Sequence, residues 1–192
     1  MPILIAGLVI FLGLHSLRIF ADDWRTARIA QIGRNAWRGL YSLVSVIGFG
    51  LIVWGFSIAR QEPVFIWFPP VWTRHAAALL VLISFILITA AYVPGNSIKA
   101  RVGHPMLAGT KIWALAHLMA NGTLNDIVLF ASFLVWAIVL FAVSRRRDRA
   151  AGTTYPRLGI GRDITTVVIG FIAWGLFAHF GHQWLIGVNP FA

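Results

Sequence analysis

Apolar runs separated by short polar connections dominate the chain. A helix that crosses a bilayer needs about 20 apolar residues, within a range of roughly 17–25. Pro2 to Phe20, Gly39 to Ala59, Ala76 to Val93, Asp126 to Val143 and Ile164 to Ile186 meet that requirement, the third being stopped by Pro94-Gly95-Asn96. Met106 to Ala120 is shorter and carries Lys111 and His117, yet it also reads as a span. Between Lys111 and Arg145 lie 33 residues, too many for a single crossing. Asn121-Gly122 followed by Asn125-Asp126 supplies a break in their middle. The pattern therefore predicts an all-α integral membrane protein, a six-transmembrane-helix bundle forming a single membrane domain over residues 1–192.

The basic residues give the orientation. Arg18, Arg25, Arg28, Arg34 and Arg38 fall in one connection, Lys99, Arg101 and Lys111 in another, and Arg145, Arg146, Arg147, Arg149, Arg157 and Arg162 in a third. Only Arg60 and Arg74 lie on the other side. Positive charge collects on cytoplasmic loops, so both termini are expected on the external side. Trp67, Phe68 and Trp72 then read as an external aromatic belt. Segment 22–33 starts Asp22-Asp23 and ends at Gly33, which predicts a short interfacial helix with a carboxylate N-cap. Asp163 is placed to cap the last helix in the same way. The first apolar run has no basic n-region and no small-residue cleavage site, so an uncleaved helix is expected.

Composition supports this picture. Charged residues make up 11% of the 192 positions and hydrophobic ones 59%, against about 25% charged in soluble domains. The formal net charge of +10 belongs to loops and carries no groove-reading motif, so no nucleic-acid partner is expected. With no cysteine, disulfides, thiolate haem ligation and Fe–S clusters are excluded. Glu62 is the sole glutamate, and neither His-Glu-x-x-His nor Gly-x-Ser-x-Gly occurs. Zincin, serine-hydrolase and carboxylate di-iron chemistry lack their residues.

Six histidines remain. Ionisable groups at membrane depth usually mark a pathway, a relay or a ligand site. Thr110, Trp113, His117 and Asn121 fall on one helix face, expected to turn inward, and Ala116 with Ala120 allows close helix approach. His15 lies near the cytoplasmic end of the first helix. With its helix starting at Lys111, His117 lies about 9 Å along it, at a depth comparable to His15; a start at Met106 would place it deeper. A histidine hydrogen-bonded to a neighbouring helix is the alternative role for His117. His179 and His182, three apart, are expected to face the same way and to serve packing, since two histidines make a poor zinc site. His75 reads as a surface residue, and His104 before Pro105 as a cap at a helix start.

A bis-histidine b-type haem needs two neutral imidazoles, an apolar slot and cations for its propionates. His15 and His117, the many Phe and Leu, and Arg18, Arg34 and Arg38 supply these, with His104, Trp113 and Asn121 as possible supporting residues.

The chain resembles the NnrU family of bacterial membrane proteins over nearly its whole length. One block is Gly13-Leu14-His15-Ser16-Leu17-Arg18, with Ile32-Gly33-Arg34 and Arg38-Gly39-Leu40-Tyr41-Ser42-Leu43-Val44-Ser45. The most specific is Gly103-His104-Pro105-Met106-Leu107-Ala108-Gly109, continuing through Trp113-Ala114-Leu115-Ala116-His117-Leu118-Met119-Ala120-Asn121-Gly122. The third is His182-Gln183-Trp184-Leu185-Ile186-Gly187-Val188. That family is associated with nitrite and nitric-oxide reduction and is related to the plant 15-cis-zeta-carotene isomerase, a membrane haem protein with two histidine ligands. The resemblance implies haem b held by His15 and His117, and a bacterial inner-membrane location. It further implies a redox, nitric-oxide-linked or isomerase-like role. The partners expected are the lipid bilayer, an apolar small-molecule substrate or nitric oxide, and a membrane redox protein. Two alternatives stand beside it. One is a non-enzymatic assembly or scaffold factor without cofactor. The other is a membrane methyltransferase using S-adenosylmethionine, because Gly103-His104-Pro105 to Gly109 is similar to the Arg-His-Pro-x-x-x-Gly loop of such enzymes, with Gly103 in the arginine's place.

Overall fold

The computed structural model describes residues 1–190. Apart from an isolated bridge between Phe65 and Thr123, the described residues form helices and their connections. They fall into two compact units, the first Met1–Val64 and the second from Phe65 onward.

In the first unit, α1 (Pro2–Phe20) and α3 (Arg34–Ala59) form an antiparallel pair joined by the short α2 (Asp22–Ile32). Glycines set their separation. A Cβ on Gly7 would stand 2.6 Å from the Ile52 nitrogen, and one on Gly48 would stand 3.0 Å from that of Phe11. Small residues of this kind let helix backbones approach where lipid offers no hydrophobic drive for association. A short helix is present over this segment, but its N-cap is Ala21, and Asp22 and Asp23 occupy the first turn instead. There they complement the helix dipole without capping a backbone N–H.

The second unit contains α4 (Trp72–Tyr92), α5 (Ser97–Val102), α6 (Pro105–Ala120), α7 (Leu124–Ala151) and α8 (Ile160–Leu176). A π-helical turn, Phe177–Gly181, joins α8 to the short α9 (His182–Ile186). α6 packs antiparallel between α4 and α7. The Ser84 hydroxyl donates to the Gly109 carbonyl at 2.8 Å, and a Cβ at Gly109 would lie 2.9 Å from the Ser84 carbonyl oxygen. Helix α7 opens with a capping box in which Thr123 and Asp126 each satisfy the other's backbone. The expected break between α6 and α7 is real. It is held from outside by the loop before α4, where the Ile66 N–H donates to the Gly122 carbonyl at 2.8 Å.

Two connections differ from expectation. Asp163 does not cap α8. It lies in that helix's first turn, and its carboxylate accepts from the backbone and hydroxyl of Ser97 at 2.5 and 2.6 Å. It thereby satisfies the start of α5, which Asn96 caps by accepting from the Lys99 N–H at 2.7 Å. Helix α7 also runs past Val143, so Arg145, Arg146, Arg147 and Arg149 stand on its last turns rather than in a loop. Nothing in that stretch breaks a helix before Gly152, whose φ of 61° ends it.

Five helical segments are long and apolar enough to cross a membrane: Pro2–Phe20, Arg34–Ala59, Trp72–Tyr92, Leu124–Ala151 and Ile160–Ile186. Helix α6, with 16 residues, is about 24 Å long, short of the roughly 30 Å hydrocarbon core. Large apolar side chains such as Leu43, Val46, Val135 and Phe171 stay exposed on these helices, as a lipid-facing surface requires.

Candidate functional site

His117 stands in the last turn of α6. Its Nδ1 lies 2.9 Å from the Trp113 carbonyl one turn back. A carbonyl oxygen can only accept, so Nδ1 carries the proton and Nε2 the lone pair. The ring stacks on Phe130 of α7 with centroids 4.5 Å apart, and Trp113 meets it at 5.3 Å. The Asn121 amide donates to the His117 carbonyl at 2.9 Å, closing the helix end.

Beside His117 is a cavity of about 270 Å³. Trp113, His117 and Asn121 all line it, as the shared helix face predicts. Thr110, expected on that face, does not; its hydroxyl donates to the Met106 carbonyl at 3.0 Å. Arg74 from α4 and Trp174, Phe177 and His182 from the last helical segment also line the cavity. Here sequence periodicity misled. The π-turn widens the helix so that Phe177 and His182, five apart, meet at 6.1 Å on one wall. His179 is exposed and is not part of that wall, so the expected common face of His179 and His182 is absent. The His182 Nδ1 donates to the Val188 carbonyl at 2.7 Å, again leaving the lone pair on Nε2.

In the first unit, His15 repeats the arrangement of His117. Its Nδ1 donates to the Phe11 carbonyl at 2.7 Å. The ring stacks on Phe11 at 4.2 Å and meets the edge of Tyr41 at 5.3 Å. Arg18 near the end of α1 and Arg34 and Arg38 at the start of α3 are exposed. Because α6 starts at Pro105 and not at Lys111, His117 lies about 18 Å along its helix, twice the distance a Lys111 start implies.

His104 occupies the N-cap position of α6, and Pro105 follows at the first helical position. The imidazole does not cap, however. Its Nε2 sits 2.9 Å from Asp148 Oδ2, close enough to pair but off the line of an aligned hydrogen bond. The Tyr155 hydroxyl donates to the same oxygen at 3.1 Å, and Arg145 approaches it at 3.7 Å. Gly103, with φ of 76°, has Arg145 against its α-carbon; a Cβ would lie 2.5 Å from Nη1. Asp148 escaped the sequence reading. Its signal was a lone carboxylate inside Arg145-Arg146-Arg147-Asp148-Arg149. His75 is exposed at the start of α4, as expected.

Among the described residues, no three His, Cys, Asp or Glu side chains gather to hold a bare metal ion. Long apolar helices, arginines gathered at their ends and a histidine-bearing cavity between helices define an integral membrane protein of the all-helical class. Its family follows from comparison: the chain belongs to the NnrU protein family, whose family model matches residues 3–190. No curated protein matches the chain, and no solved structure does.

Proposed function

We propose that this NnrU-family protein binds haem b in a bacterial inner membrane, with His15 and His117 as axial ligands, and serves a redox or nitric-oxide-linked role. One observation carries the reading. Both imidazoles commit Nδ1–H to a backbone carbonyl four residues earlier, at 2.7 and 2.9 Å. Ligating histidines characteristically donate their other ring N–H to a carbonyl or carboxylate, which fixes the tautomer and the ring orientation. Each ring is also braced by a phenylalanine face. Arg18, Arg34 and Arg38 would meet the propionates. Bound haem would supply one-electron and diatomic-gas chemistry; the chain's part is to hold Nε2 in place and keep water from it. Helix α6, paired along α4 and α7, would complete a sixth crossing, with Lys111 extending toward the basic side and both termini external.

The test is the absorption spectrum of detergent-purified protein, oxidised and reduced, with a pyridine haemochrome assay. Low-spin haem b near one per chain is expected, and His15→Ala and His117→Ala should each abolish that spectrum. An unaltered bis-histidine spectrum in both variants would overturn the ligand assignment. Colourless protein after expression with added haem would overturn the cofactor and leave a membrane assembly factor as the reading.

A further inference from the structure

The cavity beside His117 has a chemistry of its own. At about 270 Å³ it falls just under the roughly 300–1,000 Å³ of sites for drug-sized ligands. A single substituted ring fits within it. Its walls are part aromatic, with Trp113 and Trp174 among them, and part small and aliphatic, with Ala77, Val81 and Ala178. Its polar groups are Arg74, His117, His182 and the side-chain amides of Asn121 and Asn189. Arg74 offers guanidinium donors, while His117 and His182, each with Nδ1–H spent on a carbonyl, offer Nε2 lone pairs. No carboxylate is among the described lining residues, so no ion pair is offered there to a cation, while Arg74 favours an electron-rich oxygen. The ligand that matches is a flat ring with oxygens on its edge, accepting from Arg74 in one state and donating to imidazole in the other.

The geometry points to the head group of a membrane quinone or quinol as the occupant of this cavity. That class dissolves among long apolar helices such as these, its carbonyl oxygen accepts from a guanidinium, and its hydroxyl donates to a neutral imidazole. The π-turn is the local device. It sets Phe177 and His182 on the same wall, and π-turns inside α-helices recur at functional sites. This assignment stands without the haem reading and competes with it at His117, whose one free lone pair on Nε2 cannot both ligate iron and accept from a quinol hydroxyl; His182 Nε2 is the acceptor that the haem reading does not use.

The probe is decylubiquinone, added to the full chain in lipid nanodiscs, with tryptophan fluorescence as the readout, since quinones quench indoles at contact. Saturable quenching is expected, and Trp113→Phe should remove part of its amplitude. Arg74→Ala should weaken the apparent affinity about tenfold or more, the scale of one lost charge-assisted hydrogen bond. Arg74 is exposed, so its loss leaves folding intact. His182→Ala should weaken binding similarly, and His182→Gln, which keeps an acceptor, should restore part of it. His179→Ala should match the wild type. Decanol should not compete; a short-tailed naphthoquinone should. Competition by benzoate at equal strength would reassign the site to aromatic anions and overturn the quinone proposal. Quenching that never saturates, or that is unchanged in both Arg74→Ala and His182→Ala, would overturn it too. The same titration on the unmutated chain, expressed with added haem, separates the two proposals: saturable quinone binding in protein that stays colourless would sink the haem reading alone, and haem-bearing protein without saturable quenching would sink this one alone.

Discussion

The two ends of α6 each present a histidine, and the two could hardly be used more differently. At the start of the helix, His104 faces a carboxylate that also takes the Tyr155 hydroxyl and lies near Arg145. At the far end, His117 faces aromatic rings and a cavity, with its proton given to the helix backbone. One imidazole is consumed in tying α6 to α7 and the connection beyond it. The other keeps a lone pair aimed at no charged partner on its own helix. Where a membrane protein gathers charges at a helix end, a histidine becomes part of the fastening. Where the surroundings are hydrocarbon and indole, the same residue stays available for a ligand.

Breaking what both ends share gives the largest effect. Gly109 sits mid-helix against α4, and a leucine there would push its Cβ to 2.9 Å from the Ser84 carbonyl oxygen. Overpacking of this kind costs about 1–3 kcal/mol, and losing the Ser84 to Gly109 hydrogen bond adds roughly 1 kcal/mol. Gly109→Leu should therefore lower the thermal midpoint in nanodiscs and abolish saturable quinone quenching together. A lowered midpoint with quenching intact would mean that the ligand end does not depend on the α4–α6 seam. Asp148→Ala comes next. It leaves His104, Tyr155 and Arg145 without their common acceptor, a loss of ~1 kcal/mol or somewhat more for a partly solvated cluster. The midpoint should fall by a few degrees while the absorption spectrum and the quenching that the two proposals call for stay at wild-type levels. A changed spectrum would show that the fastened end governs the ligand end.

How far these features can be read from sequence depends on the kind of signal. Span positions follow from runs of apolar residues, and the break between α6 and α7 follows from Asn121-Gly122, because both are local. The face carrying Trp113, His117 and Asn121 follows from regular helical periodicity. Thr110 lies one turn before Trp113 and does not line the cavity, and its hydroxyl bonds back to its own helix. His182 fails that periodicity because a π-turn changes the residue count per turn, and nothing in Phe177-Ala178-His179-Phe180-Gly181 announces one. Asp148 and Asp163 fail for another reason. Their partners, His104 and Ser97, lie 44 and 66 positions away, and a carboxylate's partner at that separation is set by packing, not by pattern. The long α7 hides its own end: a run of arginines is compatible with helix, so charge alone does not stop it.

The smallest effect belongs to the fastened end and is a matter of pH. Tyr155 lies in the connection after α7, outside the apolar spans. Partial burial, first, holds its phenol above the usual value of 10; the hydrogen bond it donates to Asp148 and that carboxylate's charge act in the same direction, and Arg145 opposes them. A phenol whose pKa is raised on folding is held protonated more tightly by the native state than by the unfolded chain. Its contribution to stability is then complete below the unfolded value near 10 and is lost as the pH climbs through the raised native value. Phenylalanine at 155 cannot ionise, so Tyr155→Phe should lie slightly below the wild type in thermal midpoint at about pH 8, for want of the hydrogen bond. Its midpoint should then fall less steeply between about pH 9 and about pH 11. Parallel curves across that range would show that the phenol ionises without feeling Asp148, and would remove Tyr155 from the fastening that sets His104 apart from His117.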